Sequence, residues 1–286
     1  DRVREDRARR EAATRANQGL PAAFTQVRTG FEQQHLGRSS GRLLDQVQAS
    51  RQHPCLVDDQ QVAGGQQLGE VADVVPLKVR RPAEFLAEAE DCDALLNTYV
   101  GPITADIMAA MPNCMIIARY GIGVDTIDLE AATAAGIIVT NNPTYCIREV
   151  AEHALALLLA CCRKVPFYDR LIRGGRWEVP PGKPIFRLEG SALGLVGFGN
   201  IAREVARRAT AFGMRVLYAD PLVTQEQAGA LGTKVELQEL LREADFVSLH
   251  APLTSATRGM IDDAALALMK PTAYLINCAR GPIVDS

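Results

Sequence analysis

Three small residues in the C-terminal half have the spacing of a turn that binds a dinucleotide. Gly197 and Gly199 are followed by Ala202; residues 193–196 before them predict a strand, and residues 201–210 predict an amphipathic helix. Gly197 would permit a tight turn, and Gly199 would let the main chain approach a pyrophosphate. Ala202 would keep helix and strand close together. This pattern predicts dinucleotide binding, and a purely structural turn in another α/β sheet remains the alternative.

A carboxylate follows the next predicted strand. Residues 215–219 predict that strand, and Asp220 comes directly after it, 21 residues beyond Gly199. The unpaired N–H groups and partial positive charge of a helix N-terminus suit phosphates. The Asp220 carboxylate can accept hydrogen bonds from both ribose hydroxyls and would repel a 2′-phosphate. The sequence therefore predicts NAD in preference to NADP.

Two further strand ends carry polar or charged residues. Residues 246–249 run into His250, and residues 274–277 run into Cys278 and Arg280. In doubly wound sheets, ligands lie beyond the carboxyl ends of the strands. A guanidinium at Arg280 could clamp a carboxylate through two parallel hydrogen bonds. A surface ion pair is the alternative interpretation of this arginine.

Composition excludes several classes of protein. The 286 residues suggest about two domains, and 48% of them are hydrophobic and 23% charged. A net charge of −3 argues against a nucleic-acid binder. The longest apolar run, residues 154–162, is too short to span a membrane. The seven cysteines include no C-x-x-C pair and none spaced with histidine as metal ligands, so we expect no metal site and a reducing, cytoplasmic location.

The chain divides into three regions by pattern. Residues 1–70 are rich in Arg and Gln, and we expect them to be disordered or foreign to the fold; a regulatory arm is the alternative. Residues 71–143 alternate strands with helices, as a partial substrate or catalytic lobe would. Residues 144–286 form a second such series, a Rossmann domain. Because the chain begins with Asp1 and ends within a strand–turn pattern, we expect a fragment truncated at its C-terminus.

The apolar pattern also predicts individual helices. One runs through residues 104–111 with Thr104 as a hydrogen-bonding N-cap, and one through 129–135, ended by Gly136. A longer helix over about 147–164 is apolar on nearly every side, which predicts burial all round.

Several ordered motifs over residues 71–286 resemble the D-isomer-specific 2-hydroxyacid dehydrogenases. They are the R-Y-G-I-G-V-D run at 119–125, the dinucleotide turn, H-A-P-L-T at 250–254 and N-C-A-R-G at 277–281. The stretch 141–177 is most similar to bacterial relatives of the C-terminal-binding-protein branch. The resemblance implies an α/β fold of two doubly wound parallel sheets, a Rossmann domain beside a flavodoxin-like lobe. It also implies NAD as cofactor, a D-2-hydroxy acid or 2-oxo acid as substrate, and a homodimer.

The resemblance also implies roles for individual residues. Arg280 would bind the substrate carboxylate and polarise its C2 oxygen, and is the catalytic residue in this chain. The main chain of Ile122 and Gly123 would meet the same carboxylate, with Arg119 nearby. The cofactor would contact residues of the glycine turn, the carboxylate after it and the two later turns: Gly197, Gly199, Asn200, Ile201, Asp220, His250, Ala251, Pro252, Thr257, Cys278, Ala279 and Arg280.

The sequence departs from the family pattern in two respects. Asn200 stands where most members have arginine, so one cation at the pyrophosphate is lost. The family's acid/base histidine and its orienting glutamate come from further along the chain, and only six residues follow Arg280. We do not expect His153 or His250 to replace them, so this chain alone is expected to be inactive. An NAD(H)-sensing corepressor-like scaffold is the alternative function.

Overall fold

The computed structural model describes residues 54–57, 73–76, 89–97 and 101–285. The chain divides after Tyr145 into two compact units, here called unit 1 and unit 2. The boundary expected from the sequence lies two residues earlier, after residue 143. Within the described residues, no helix is both long and apolar enough to cross a membrane.

Unit 1 contains a parallel sheet of five strands. The order along the sheet is β2-β1-β3-β4-β5, the arrangement of flavodoxin-like folds. The resemblance implied this lobe type, and the structure confirms it. The strands are β1 (Pro54–Val57), β2 (Asp73–Pro76), β3 (Ala94–Asn97), β4 (Ile116–Arg119) and β5 (Ile138–Thr140), and the helices are α1 (Ala105–Ala109) and α2 (Leu129–Ala135).

Strand β1 lies within residues 1–70, which were expected to be disordered or foreign to the fold. It lies inside the sheet, with β2 on one side and β3 on the other. A run of four residues has too little periodicity to identify a strand, and only its two neighbours in the sheet define it. The rest of region 1–70 lies outside the described residues.

The ends of the helices in unit 1 show which residues set where each helix begins and ends. Asp128 caps α2 by accepting a hydrogen bond from the Ala131 N–H at 2.9 Å, and Gly136 ends the helix in the left-handed conformation, at φ 73°. Thr104 occupies the N-cap of α1, but its side chain makes no capping hydrogen bond. The expectation of a capping hydroxyl there was wrong, although the helix begins where predicted.

Unit 2 contains a second parallel sheet of five strands, in the order β10-β9-β6-β7-β8. Read from β8, this is the Rossmann order 3-2-1-4-5, with its switch point between β6 and β9. The strands are β6 (Ala192–Val196), β7 (Arg215–Ala219), β8 (Thr233–Lys234), β9 (Phe246–Leu249) and β10 (Tyr274–Asn277). The helices are α3 (Ile147–Cys162), α4 (Val165–Arg173), α5 (Asn200–Ala211), α6 (Gln225–Ala228), α7 (Leu237–Glu243) and α8 (Asp263–Leu268).

Strand β6 is the centre of the unit 2 core. All five of its residues are buried, as expected for a parallel strand covered on both faces. Helix α5 packs on one face through a stripe of buried small residues that includes Ala202 and Ala206, and α7 packs on the other through Leu240. This burial fixes the carboxyl end of β6 and the start of α5, where the glycine turn lies.

Helix α3 is not buried all round, contrary to the expectation from its composition. One stripe is buried, and it includes Ala151, Ala154, Leu155 and Leu158, whereas Leu157 is 36% exposed. Other apolar residues of the helix, such as Val150 and Leu159, are only partly buried. The helix also ends earlier than predicted, because Lys164 adopts a left-handed conformation at φ 56° and α4 then begins.

Candidate functional site

The glycine turn after β6 is tied to the loop after β9. Gly197 has φ +87°, and a Cβ added there would lie 2.9 Å from the Ala251 nitrogen and 3.0 Å from the His250 carbonyl carbon. The Gly197 N–H donates to the Ala219 oxygen at 2.8 Å. Both the backbone conformation and the contact with a second main chain therefore require glycine at this position.

The N-terminus of α5 is open. Gly199 is the N-cap residue in an extended conformation. Among the described residues, no side chain caps the helix, and a Cβ at Gly199 would meet nothing within 4 Å. The N–H groups of Asn200 and Ile201 lie in the first turn, while Ala202 is fully buried against the sheet. An uncapped helix start beside open space provides the donors and the room that a pyrophosphate needs. The arrangement fits a bound dinucleotide.

Asp220 holds the glycine turn as well as offering a charge. Its Oδ2 accepts a hydrogen bond from the Phe198 N–H at 2.7 Å, and its Oδ1 accepts from the Leu222 and Val223 N–H groups at 2.7 and 3.1 Å. A carboxylate has about four acceptor positions, so about one remains for a ribose hydroxyl. Both ribose hydroxyls were expected to bind Asp220, but three of its acceptor positions already accept hydrogen bonds from the main chain. Its charge still opposes a 2′-phosphate.

Phe198 and Arg203 complete the turn, and no pattern in the sequence pointed to either role. Phe198 is fully buried and stacks on Tyr218, with ring centroids 4.1 Å apart. Arg203 donates from Nε to the Phe198 oxygen at 3.2 Å and from Nη1 to the Gln227 oxygen at 2.8 Å. Its guanidinium also lies 5.0 Å from the centre of the Phe198 ring. These contacts fix the residue between the two glycines from both sides.

The loop after β9 is held by its own side chains. Thr257 donates from Oγ1 to the Pro252 oxygen at 2.6 Å and accepts from the Thr254 N–H at 2.8 Å. Ala251 is buried and Pro252 is exposed. The Thr257 hydroxyl, expected at the cofactor, therefore stabilises the loop that packs against the glycine turn.

His250 is a neutral imidazole at ordinary pH. Its main-chain N–H donates to the Val196 oxygen at 2.8 Å, and its Nε2 shares a hydrogen bond of 3.0 Å with the buried Ser248 hydroxyl. Burial lowers the pKa of His250 from 6.5 to about 4. The ring therefore adds no positive charge to the site.

A pH dependence of stability follows from His250. Because its pKa is lower in the native than in the unfolded chain, the unfolded chain takes up the proton first as the pH falls from 6.5 towards 4. The parent should therefore be less stable at pH 4.5 than at pH 7, and we expect His250→Gln to remove about 2 kcal/mol of that difference. Urea unfolding at both pH values measures this difference, and the variant and parent losing equal stability would contradict it.

The turn after β10 is shaped by Asn277, a residue the sequence analysis quoted in a motif but gave no role. Its Oδ1 accepts from the Ala279 N–H at 3.0 Å, and its Nδ2 donates to the Arg280 oxygen at 2.8 Å. Arg280 is partly buried and donates from Nη1 to the Ala279 oxygen at 2.9 Å. Burial raises the pKa of the Cys278 thiol, so this cysteine is protonated at neutral pH.

The remaining candidates lie in unit 1, in the loop after β4. Arg119 donates from Nε to the Gly123 oxygen at 3.2 Å and from Nη1 to the Asn97 Oδ1 at 3.0 Å. Asn141 Nδ2 donates to the Ile122 oxygen at 2.7 Å. Within the described part of the chain, the N–H groups of Ile122 and Gly123 have no hydrogen-bond partner. They are available to an anion such as a carboxylate.

The strand order of unit 2, its glycine turn and the uncapped start of α5 define a Rossmann dinucleotide-binding domain. Among the residues that the structure describes, no cluster of three or more His, Cys, Asp or Glu side chains could hold a metal ion.

Comparison with known proteins gives the family. Residues 155–286 match the family model described as "D-isomer specific 2-hydroxyacid dehydrogenase, NAD binding domain". A glyoxylate reductase of Korarchaeum cryptofilum is 44% identical over 205 residues, which cover 70% of this chain and 62% of that protein. A D-3-phosphoglycerate dehydrogenase of Mycobacterium tuberculosis is 43% identical over 205 residues, covering 71% of this chain and 38% of that protein.

Solved structures agree. The TT0316 protein from Thermus thermophilus has a TM-score of 0.74 and 36% identity, covering 81% of this chain and 75% of that one. An NAD-dependent formate dehydrogenase from Staphylococcus aureus, solved in complex with NAD, also has a TM-score of 0.74, at 26% identity, with 81% and 75% covered. The chain belongs to the D-isomer-specific 2-hydroxyacid dehydrogenase family. Residues 155–286 lie in the NAD-binding domain of that family, and NAD is its cofactor.

Proposed function

We propose that the protein is an NAD-dependent oxidoreductase that acts on the CH–OH group of a D-2-hydroxy acid and, in reverse, on a 2-oxo acid. The observation that carries the proposal is the glycine turn beside the uncapped N-terminus of α5, with Asp220 bonded to the Phe198 N–H. The chain spans 62% and 38% of the lengths of the two curated relatives described above. Those relatives are named a glyoxylate reductase and a phosphoglycerate dehydrogenase, and both names fit small 2-hydroxy or 2-oxo acids as substrates.

The cofactor-binding residues act through main-chain donors and one charge. The N–H groups at the start of α5 would hold the pyrophosphate, and Gly199 leaves the space for it. Asp220 would accept a hydrogen bond from one ribose hydroxyl, and its charge would repel a 2′-phosphate. The loop from His250 to Thr257 and the turn at Cys278 and Ala279 would line the rest of the cofactor. Bound NAD supplies the acceptor or donor for the hydride at C2 of the substrate.

The substrate-binding residues are donors suited to a carboxylate. Arg280 would bind the substrate carboxylate and polarise the C2 oxygen, because a guanidinium presents paired N–H groups in a fixed plane. In unit 1, the N–H groups of Ile122 and Gly123 would donate to a carboxylate. His250 is unsuited as a general base, since its pKa of about 4 lies well below operating pH and its Nε2 is engaged by Ser248.

Titration of NADH and NADPH against the protein, followed by fluorescence, tests the cofactor proposal. We expect Asp220→Ala to weaken NADH binding by about 10- to 100-fold, because a hydrogen bond to a charged acceptor and the anchor of the turn are lost together. Asp220→Asn removes the charge and one of the two acceptor oxygens, so it should narrow the preference for NADH over NADPH. Asp263→Ala, an exposed carboxylate in the first turn of α8, is the control and should change neither affinity. No NADH binding by the parent chain would refute the proposal.

We also propose that the protein forms a homodimer through unit 2. In the segment of chain that connects α3 to β6, large apolar side chains are exposed. They include Val165, Ile172 and Trp177, and Trp177 is 86% exposed. Such an exposed apolar group is typical of a protein interface. Sedimentation velocity should give twice the chain mass of 30.9 kDa, and Trp177→Asp should give the monomer. Leu222→Asp, equally exposed in the same unit, is the control; a monomeric parent would refute the proposal.

A further inference from the structure

In the loop after β4, the carbonyl groups accept hydrogen bonds from the protein, whereas several N–H groups have no partner among the described residues. The four successive carbonyl oxygens of residues 121–124 accept, in order, from the Asn142 N–H, the Asn141 side chain, the Arg119 Nε and the Ile127 N–H. In the part of the chain that the structure describes, the N–H groups of residues 122–124 have no partner. A loop fixed in this manner leaves three consecutive main-chain donors for a ligand, and consecutive N–H groups are what a main-chain anion site uses.

Arg119 lies beneath this loop. A Cβ added at Gly121 would lie 3.6 Å from the Arg119 Nε and 3.7 Å from its Cζ, so the guanidinium lies on the side of Gly121 that a side chain would occupy. The same guanidinium reaches the Gly123 oxygen with Nε and the Asn97 Oδ1 with Nη1. The arginine therefore bridges the loop and the neighbouring strand β3.

Asn97 anchors the other end of that bridge. It is the last residue of β3, it is 1% exposed, and it pairs in register with Arg119 across the parallel strands. Its carbonyl oxygen also accepts from the Tyr120 N–H at 2.8 Å, at the start of the loop. A buried amide with these contacts orients the guanidinium and leaves it little freedom to turn toward a ligand.

We infer that Arg119 and Asn97 are positioning residues: together they fix the carbonyl side of residues 121–124, so that the N–H groups of residues 122–124 bind the substrate carboxylate without contact from Arg119. This inference rests on the proposed 2-hydroxy acid function, and it reassigns an arginine that the family resemblance placed near the substrate. The positive charge beneath the loop adds attraction for an anion, but the hydrogen bonds come from the main chain.

Titration of the full chain with oxalate, a two-carboxylate analogue of small 2-oxo acids, tests the inference through the ¹⁵N–¹H amide signals of residues 122–124. Oxalate should shift these signals, with or without NADH present. Arg119→Lys and Asn97→Ala should each weaken oxalate binding by about tenfold. The double variant should bind oxalate about as well as the single variant with the lower affinity, because each substitution removes the same bridge. NADH affinity, which depends on unit 2, should stay within about twofold of the parent.

A variant with a lower risk of unfolding accompanies these. Asn97 is buried, whereas Asn141 is only partly buried, and Asn141→Ala removes the tether on the Ile122 oxygen alone. It should weaken oxalate binding by about threefold, and Asn113→Ala, exposed in the same unit, should have no effect. Arg119→Lys with parental oxalate affinity would show that the bridge is not needed. Asn97→Ala without effect, where Arg119→Ala abolishes binding, would show that Arg119 is a direct ligand. Either result would overturn the inference. Absence of any shift at residues 122–124 would overturn it too, whereas loss of NADH binding alone refutes only the proposed function.

Discussion

Replacing Gly197 with alanine is expected to abolish measurable NADH binding and to lower the stability of the protein. The new methyl group would lie about as close to the Ala251 nitrogen as a hydrogen-bonded atom, at 2.9 Å, and both atoms it meets first belong to the main chain. The left-handed conformation at φ +87° adds about 1–2 kcal/mol of strain for any residue with a Cβ. The glycine turn and the loop after β9 must then separate. We expect NADH affinity to fall by more than about 100-fold and the free energy of unfolding by several kcal/mol.

Gly199→Ala is the matched comparison for this prediction. Its Cβ meets nothing within 4 Å and its φ of −77° suits any residue, so the protein should unfold at the parental urea concentration. NADH affinity should nevertheless fall, because the methyl group occupies the space left for the pyrophosphate. Urea unfolding and NADH fluorescence titration on both variants separate the two roles. Gly197→Ala with parental stability, or Gly199→Ala with parental affinity, would contradict this division.

The features that the sequence predicted are those encoded locally. The strand at Arg215–Ala219 and the end of α2 at Gly136 could be read from runs of apolar residues and from one glycine. The glycine turn was also readable, since its small residues lie within six positions of each other. By contrast, β1 depends on partners from elsewhere in the chain, and the two-residue β8 has too few residues to show any period.

The hydrogen bonds within the site could not be predicted for the same reason. The Asn97 side chain meets Arg119 across 22 positions, and Asp220 meets the Phe198 N–H across 22. Such pairs depend on the register of adjacent strands, which a single sequence does not specify. The buried side chains of Phe198 and Tyr218 are indistinguishable from other core aromatics until their stacking is seen. Sequence therefore indicated where ligands are expected to bind, and the structure showed what holds the candidate binding groups in place.

Arg280→Ala is expected to remove carboxylate binding while leaving the cofactor in place. The main chain of this turn is fixed by Asn277, whose side chain spans from the Ala279 N–H to the Arg280 oxygen, so loss of the guanidinium should not collapse it. Hydrogen bonds between charged partners contribute about 1.5–3 kcal/mol each, so we expect oxalate affinity in the presence of NADH to fall by about 100-fold. NADH affinity should change by less than about threefold.

Two comparison variants decide what Arg280 contributes. Arg280→Lys keeps the charge but cannot form two parallel hydrogen bonds, so it should recover only part of the lost oxalate affinity. Arg187→Ala, an arginine of the same unit whose side chain is 82% exposed, should change nothing. A large loss of NADH affinity with parental oxalate binding would assign Arg280 to the cofactor instead. Full recovery by lysine would mean that charge alone suffices, whereas partial recovery would mean that the planar guanidinium contributes two parallel hydrogen bonds to the carboxylate, as the proposed function expects.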